Sequence, residues 1–419
     1  QTSDKPVRID VCQNVAERGA PIAHVGRSTR VDPFDEYGRR IYELVGSGGP
    51  IPVVQGITRI TPVYTRVQGL TVEPRSYVWD MRIATSSIPR ETLTKILARA
   101  VPQDDPDARL QIVRLFLQSE RYRDARMELE RVMADFPALE DRTAEIRQLR
   151  QLGAKAILEE LKLREQAGQH TLVQQLLNQF PAEEVAGETL QQVREMADRF
   201  ERETANQERA LAAMRELTEQ VGDPIHRDLA RHFVEEIAAD LSFDTDGRLL
   251  SFRRLVDDSQ LTAEQKIALA ISGWLVGANQ ATDNFPVALS LVEVRDGVLA
   301  YLRADEAVRR TQILAELDDM EGATVPRVAE LLKRMRPPLS VPDEANVGHG
   351  VAKLTAPGLP GESDVSYYVQ LPPEYNPLRR YPTIVTLPSH GYPIARQLDF
   401  WAGQPREDAP RLGQTISHG

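Results

Sequence analysis

The sequence predicts a multidomain chain in three parts. A β-rich N-terminal domain spans about residues 1–88, an α-helical domain about 89–338, and a linker leading into strands about 339–419. Three observations carry this division. Proline and glycine recur through the first part too often for a helix to propagate. From Pro89 onward the apolar residues step by three and four. At Arg336-Pro337-Pro338 that stepping stops, and short β-branched and aromatic runs take over.

In the first part the β-prone runs are residues 7–11, 40–45, 53–60, 63–67 and 77–84. The last is the clearest: Tyr77, Trp79, Met81 and Ile83 alternate with Asp80 and Arg82, the period of a half-buried strand. His24, Asp32, Asp35 and Glu36 stand among turn residues, where short polar side chains shape turns rather than do chemistry.

The helical part opens at Ser87-Ile88-Pro89. Ser87 suits an N-cap and Pro89 a first turn, after which Leu93, Ile96, Leu97 and Ala100 keep helical spacing. Ala108, Ile112, Leu115 and Phe116 line the next helix, and Ala125, Leu129, Val132 and Phe136 the one after. The join between them, at Ser119-Glu120-Arg121-Tyr122, is short, as an antiparallel pair requires. Leu190, Val193, Ala197 and Phe200 begin a longer stripe that Leu211, Met214, Leu217 and Val221 continue. Thr262 with Gln265 forms a capping box, followed by a buried face at Ile267, Ile271, Trp274 and Ala278. A last helix over residues 325–335 ends at the double proline.

Residues 106–137 resemble a tetratricopeptide repeat, a helix-turn-helix unit of about 34 residues. Phe116, Tyr122, Ala125 and Pro137 match the pattern, while Arg109 and Val113 stand where that family usually has tryptophan and glycine. Gln179-Phe180-Pro181 echoes Asp135-Phe136-Pro137, at a wider spacing than a regular array. The resemblance implies a surface for a protein or peptide partner on the helical domain.

After the double proline, residues 367–371 and 383–387 read as strands. Val369-Gln370-Leu371-Pro372-Pro373-Glu374-Tyr375, then Arg380-Tyr381-Pro382-Thr383-Ile384-Val385-Thr386-Leu387, then His390-Gly391, resembles the opening of an α/β-hydrolase domain of the esterase and prolyl-oligopeptidase type. The resemblance implies an oxyanion-hole loop at His390, Gly391 and Tyr392. The backbone N–H of Tyr392 would be the donor and His390 would shape the loop; Gly391 permits close backbone approach. It implies a serine hydrolase, esterase or peptidase, acting through an acyl-enzyme and needing no cofactor.

Such an enzyme needs a Gly-x-Ser-x-Gly elbow, then an acid and a histidine. Ser366, Ser389 and Ser417 all lack the flanking glycine pair, so this chain holds no complete triad. The expectation is an inactive N-terminal portion whose nucleophile lies beyond the 419 residues. The chain begins at Gln1 and stops at Ser417-His418-Gly419 without a closing element, which fits the same expectation. The rival expectation is that the helical domain is the functional unit, a protein-interaction scaffold without activity. Strands without the rest of their sheet should also leave residues beyond about 342 loosely held and fast to exchange.

Composition limits the other classes. With 51 basic against 62 acidic residues the net charge is −11, which argues against a nucleic-acid partner. The single cysteine, Cys12, excludes an internal disulfide and any multi-cysteine metal site. The best apolar run, residues 267–278, is too short for a membrane span and is interrupted by Ser272 and Gly273. A start at Gln1 and scarce cysteine fit an exported protein after leader removal, and equally an internal cut. Asp244-Thr245-Asp246-Gly247 resembles a calcium loop, but Ser242 and Arg253 occupy positions that need acids, so a helix-joining turn is expected. His226 and His232 fall on different helix faces, Gly46-Ser47-Gly48-Gly49 lacks the Lys and Ser/Thr of a phosphate loop, and Glu159-Glu160 and Glu183-Glu184 read as solvated charges.

Overall fold

The structure is a computed structural model that describes residues 6–19, 28–46, 49–137, 143–183, 185–320, 322–339, 345–387, 394–403 and 411. The chain divides into two compact units: Gln1–Leu163, Asn178–Val193 and Val385–Gly419 form one, Arg164–Leu177 and Arg194–Ile384 the other. The membership follows packing rather than sequence order.

The first unit opens with an antiparallel sheet of β1 (Ile9–Asp10), β2 (Ser28–Val31), β3 (Arg39–Gly46), β4 (Gly49–Ile60), β5 (Tyr64–Gly69) and β6 (Asp80–Ala84). The order is β2-β3-β4-β5-β6, with β1 paired to β4. β3 pairs with β4 from Arg39↔Gly56 to Gly46↔Gly49, and β1 then takes the free stretch at Ile60 and Arg59. Gly46 and Gly49 thus end the paired stretch of the two strands. Gly49, at φ +118°, sits in a region that L side chains rarely adopt. Asp35 does shape a turn, its Oδ1 accepting from the N–H groups of Tyr37 and Arg39 at 2.9 and 2.8 Å. The alternation around residue 80 holds, with Met81 and Ile83 half-buried and Asp80 and Arg82 exposed.

Ser87 does not cap the first helix. It lies in a single 3-10 turn, Thr85–Ser87, and donates to the Ala84 carbonyl at 2.7 Å. Pro89 forces Ile88 into extended backbone, so α1 (Arg90–Ala100) starts only after the proline. α2 (Pro106–Gln118) and α3 (Tyr122–Asp135) then form the expected short-jointed pair, with the Asp105 side chain capping α2. Ile57, Ile60 and Val67 of the sheet, Leu93 and Ile96 of α1, and Ile112, Phe116, Ala125 and Leu129 of the pair share one core. The change of texture near Pro89 therefore marks a change of secondary structure, and packing continues across it. Burying each large side chain of this set contributes about 1.5–3 kcal/mol.

Buried carboxylates tie α3 to α2 and to α1. Arg109 reaches across to Glu128 through two nitrogens at 3.0 and 2.8 Å and also meets Asp135. Arg121 binds Asp124 at 2.8 Å, and Arg90 of α1 meets the same carboxylate at 2.6 Å. Charged groups this deep are tolerated only when paired. α4 (Thr143–Gln166) and α5 (His170–Asn178) follow.

The second unit is built round α9 (Ala263–Val276), with α6 (Gly187–Glu219), α7 (Pro224–Asp240), α8 (Leu250–Leu255), α10 (Phe285–Arg303), α11 (Ala307–Asp318) and α12 (Val325–Arg334). The capping box at Thr262 and Gln265 forms. α9 is buried on every side rather than on one face, because α7, α8, α10 and α12 all pack on it. The two residues that interrupt its apolar run have structural causes. A Cβ at Gly273 would sit 2.7 Å from the Arg248 carbonyl oxygen, and Ser272 accepts from the Thr282 N–H at 2.9 Å. No helix among the described residues is long and apolar enough to cross a membrane.

Beyond the double proline, β7 (Val351–Ala356) pairs antiparallel with β8 (Val365–Gln370) in six-residue register. α13 (Ile394–Ala402) is the last element described. β7 carried no sequence expectation, and residues 383–387, expected as a strand, form none. The reason is physical: a strand needs a neighbour to take its backbone hydrogen bonds, and no described strand flanks this run.

Candidate functional site

His390, Gly391 and Tyr392, the expected oxyanion-hole loop, lie outside the described residues, as does His24. The motif that leads to them is described, and it builds a cluster on the helices of the second unit.

α5 starts after Gln169, a weak cap, and has no acid in its first turn, so its first N–H groups need an acceptor from elsewhere. Glu374 supplies it. Its two carboxylate oxygens accept from the Thr171 and Leu172 N–H groups, each at 2.8 Å, which places a negative charge at the positive end of the helix. Glu374 holds φ +54° to do so, a conformation uncommon for a residue with a Cβ.

Next along the chain, Asn376 turns the backbone by accepting from the Leu378 N–H at 2.9 Å, and its side chain donates to the Ser242 Oγ at 3.3 Å. Arg379 then donates to the Asp244 Oδ1 at 2.6 Å and to the Gln166 carbonyl. Its guanidinium occupies the space a Cβ on Gly168 would need, and Gly168 stands at φ +79°. Tyr381 stacks on Tyr375 at 5.4 Å between ring centres and accepts from the Asn376 N–H at 3.0 Å. Residues 374–381 are therefore clasped to the helices.

His170 lies under this clasp, its ring 4.9 Å from that of Phe243 and 6.0 Å from that of Phe200. Its Nε2 is 3.6 Å from the Asp244 carboxylate, and neither ring nitrogen makes a hydrogen bond among the described residues. No hydroxyl is thus activated by His170, although Asp244 faces it and Ser242 stands two residues before Asp244. The cluster positions a segment; it does not form a nucleophile–base pair.

The other expectations resolve into structure. Asp244 turns to Arg379, and Asp246 pairs with Arg253 at 2.8 Å. Burial pushes the Asp246 carboxyl above its ordinary range, with Arg253 opposing. The stretch is a helix-joining turn in which the Asp246 N–H donates back to the Ser242 carbonyl at 2.9 Å. His226 packs its edge on Phe285, and His232 extends into solvent. Glu159 pairs with Lys162 at 2.8 Å. Among the described residues no three histidine, cysteine or acidic side chains converge as metal ligands would.

Glu374 and Arg379 entered the sequence reading only as parts of a motif. The signal for their role was the capless start of α5, which demanded an acid from a distant segment. No known protein family, no characterised protein and no solved structure matches this chain.

Proposed function

We propose that residues 339–419 supply the linker and opening of an α/β-hydrolase module and that the protein is a serine hydrolase, an esterase or peptidase working through an acyl-enzyme. The observation that carries this reading is an unfinished sheet. β7 and β8 pair over their full length. The apolar run that follows stays in solvent, with Ile384 64%, Val385 82% and Leu387 88% exposed. Each such side chain forgoes about 1.5–3 kcal/mol of burial. Further strands covering the run would recover it.

In that reading the run becomes an inner strand ending at His390-Gly391-Tyr392, where the Tyr392 N–H would face a developing oxyanion. Such a donor is worth roughly 3 kcal/mol in the transition state. The serine, acid and histidine would come from residues outside the 419. The helices would act as a scaffold that restricts access or recruits a partner. The Glu374 and Arg379 clasp supports this role, because it fixes the strand-bearing segment to helical residues through two backbone bonds and an ion pair.

The test is active-site labelling of the native protein, captured intact from its source with antibody against the 419-residue chain. A fluorophosphonate should label one serine beyond residue 419 stoichiometrically, while the 419-residue chain alone takes no label. An unlabelled native protein, or label on any serine within the 419, would overturn the proposal.

A further inference from the structure

A groove among α7, α9, α10 and α12 encloses about 410 Å³, within the range of small-molecule sites. Its floor is apolar, with Trp274, Leu275 and Leu331 buried and Leu299 and Met335 beside them. Its rim carries four guanidinium groups, Arg295, Arg303, Arg334 and Arg336, and three carboxylates, Glu236, Asp240 and Asp296.

Those carboxylates are already committed. Arg336 grips Asp240 through two nitrogens, and Arg295 takes Glu236 and Asp296, each at 2.7 Å. Arg334 turns to Glu330. A fifth guanidinium, Arg248, lies 5.1 Å from the centre of the Trp274 ring and donates to the Arg334 carbonyl at 3.1 Å. Arg303 donates to the Pro338 carbonyl at 2.9 Å and meets no carboxylate among the described residues. Arg248, Arg295, Arg303, Arg334 and Arg336, with Lys333 on Glu330 at 2.6 Å, thus outnumber Glu236, Asp240, Asp296 and Glu330 by two, on a chain of net charge −11. The excess is felt inside the fold. Arg248 is pushed down to about 10, by burial first and by the Arg334 charge second.

We infer that the groove binds a small organic monoanion, an apolar or aromatic body bearing one carboxylate, with its acid at Arg303 and its body on the Trp274 floor. Arg303 is the lining guanidinium that meets no carboxylate among the described residues, and it sets where the acid sits. One carboxylate pairs with it while an apolar body covers the Trp274 floor, whereas inorganic phosphate brings no apolar body to that floor. The planar fork of arginine also matches a carboxylate's two oxygens.

The experiment is calorimetric titration of the 419-residue chain with 2-naphthoate, with its uncharged analogue 2-naphthylmethanol, and with inorganic phosphate. 2-Naphthoate should bind with a Kd below about 1 mM, and the alcohol at least about tenfold more weakly. Phosphate should give no binding heat. Arg303→Gln, at an exposed position, should weaken 2-naphthoate at least about tenfold with an unchanged thermal melt. Leu299→Trp replaces no charge and fills the groove, so it should abolish binding by a separate route. Equal affinity for acid and alcohol, phosphate binding in preference to 2-naphthoate, no 2-naphthoate heat, or wild-type affinity in Arg303→Gln would each overturn the inference.

Discussion

Two ion pairs of the same N···O distance separate what burial does to a charge. Arg121–Asp124 and Arg215–Glu235 both stand at 2.8 Å, but the side chains of the first are 3% and 2% exposed and those of the second 54% and 54%. Removing Asp124 as Asp124→Ala leaves Arg121 charged and sealed from water. Arg90, a third exposed, can turn outward, but Arg121 cannot. Leaving one buried partner uncompensated costs about 3–5 kcal/mol. For a unit of this size that lowers the melting midpoint by about 6–20 °C. Glu235→Ala removes an exposed pair that water and salt already screen, and should leave the midpoint where it was. The double replacement Arg121→Met with Asp124→Leu removes both charges and should recover most of the loss. The assay is a thermal melt followed by calorimetry, which resolves the two units if they unfold separately. Equal midpoints for Asp124→Ala and the wild type would refute the reasoning, because Arg121 would then have found water or another partner.

Three further outcomes are expected. Ala125 is fully buried between α2 and α3 while Ala134 is exposed, so Ala125→Leu should cost about 1–3 kcal/mol in urea denaturation and Ala134→Leu next to nothing. Asp223, the cap of α7, is held below its ordinary 3.8 chiefly by the His226 N–H it accepts from. Its stabilisation is present above that value and lost as pH falls through the lower folded one. The wild-type urea midpoint should therefore drop more steeply than that of Asp223→Asn between about pH 5 and about pH 3; parallel slopes would contradict this. Glu374→Ala should speed amide exchange at Thr171 and Leu172, read by NMR, and unchanged rates there would mean that water serves the helix start as well as the carboxylate does.

Local pattern made much of the fold legible. The strands β3 to β6, the α2/α3 pair and the capping box at Thr262 follow from period, spacing and cap chemistry. Features that depend on distant neighbours stayed hidden. β2 and β7 are short and gain their hydrogen bonds from partners, whereas residues 383–387 have strand composition but no described partner. Glu374 caps a helix whose first residues lie some two hundred positions earlier, a relation no local window contains. The groove arginines come from residues 248–336, where each alone reads as a solvated surface charge. Ser87 shows the reverse error. A good cap residue was overruled by the backbone constraint of the proline two positions later.

The proposal's central claim is that residues 383–387 become a strand once further strands cover them. Amide hydrogen exchange over peptides covering 374–387, compared between the 419-residue chain and the native protein, tests it most directly. Fast exchange at 383–387 in the 419-residue chain, with at least about a hundredfold slowing in the native protein, is the predicted result. Equally fast exchange in both would show that no further strand covers the run, and the hydrolase reading would fall with it.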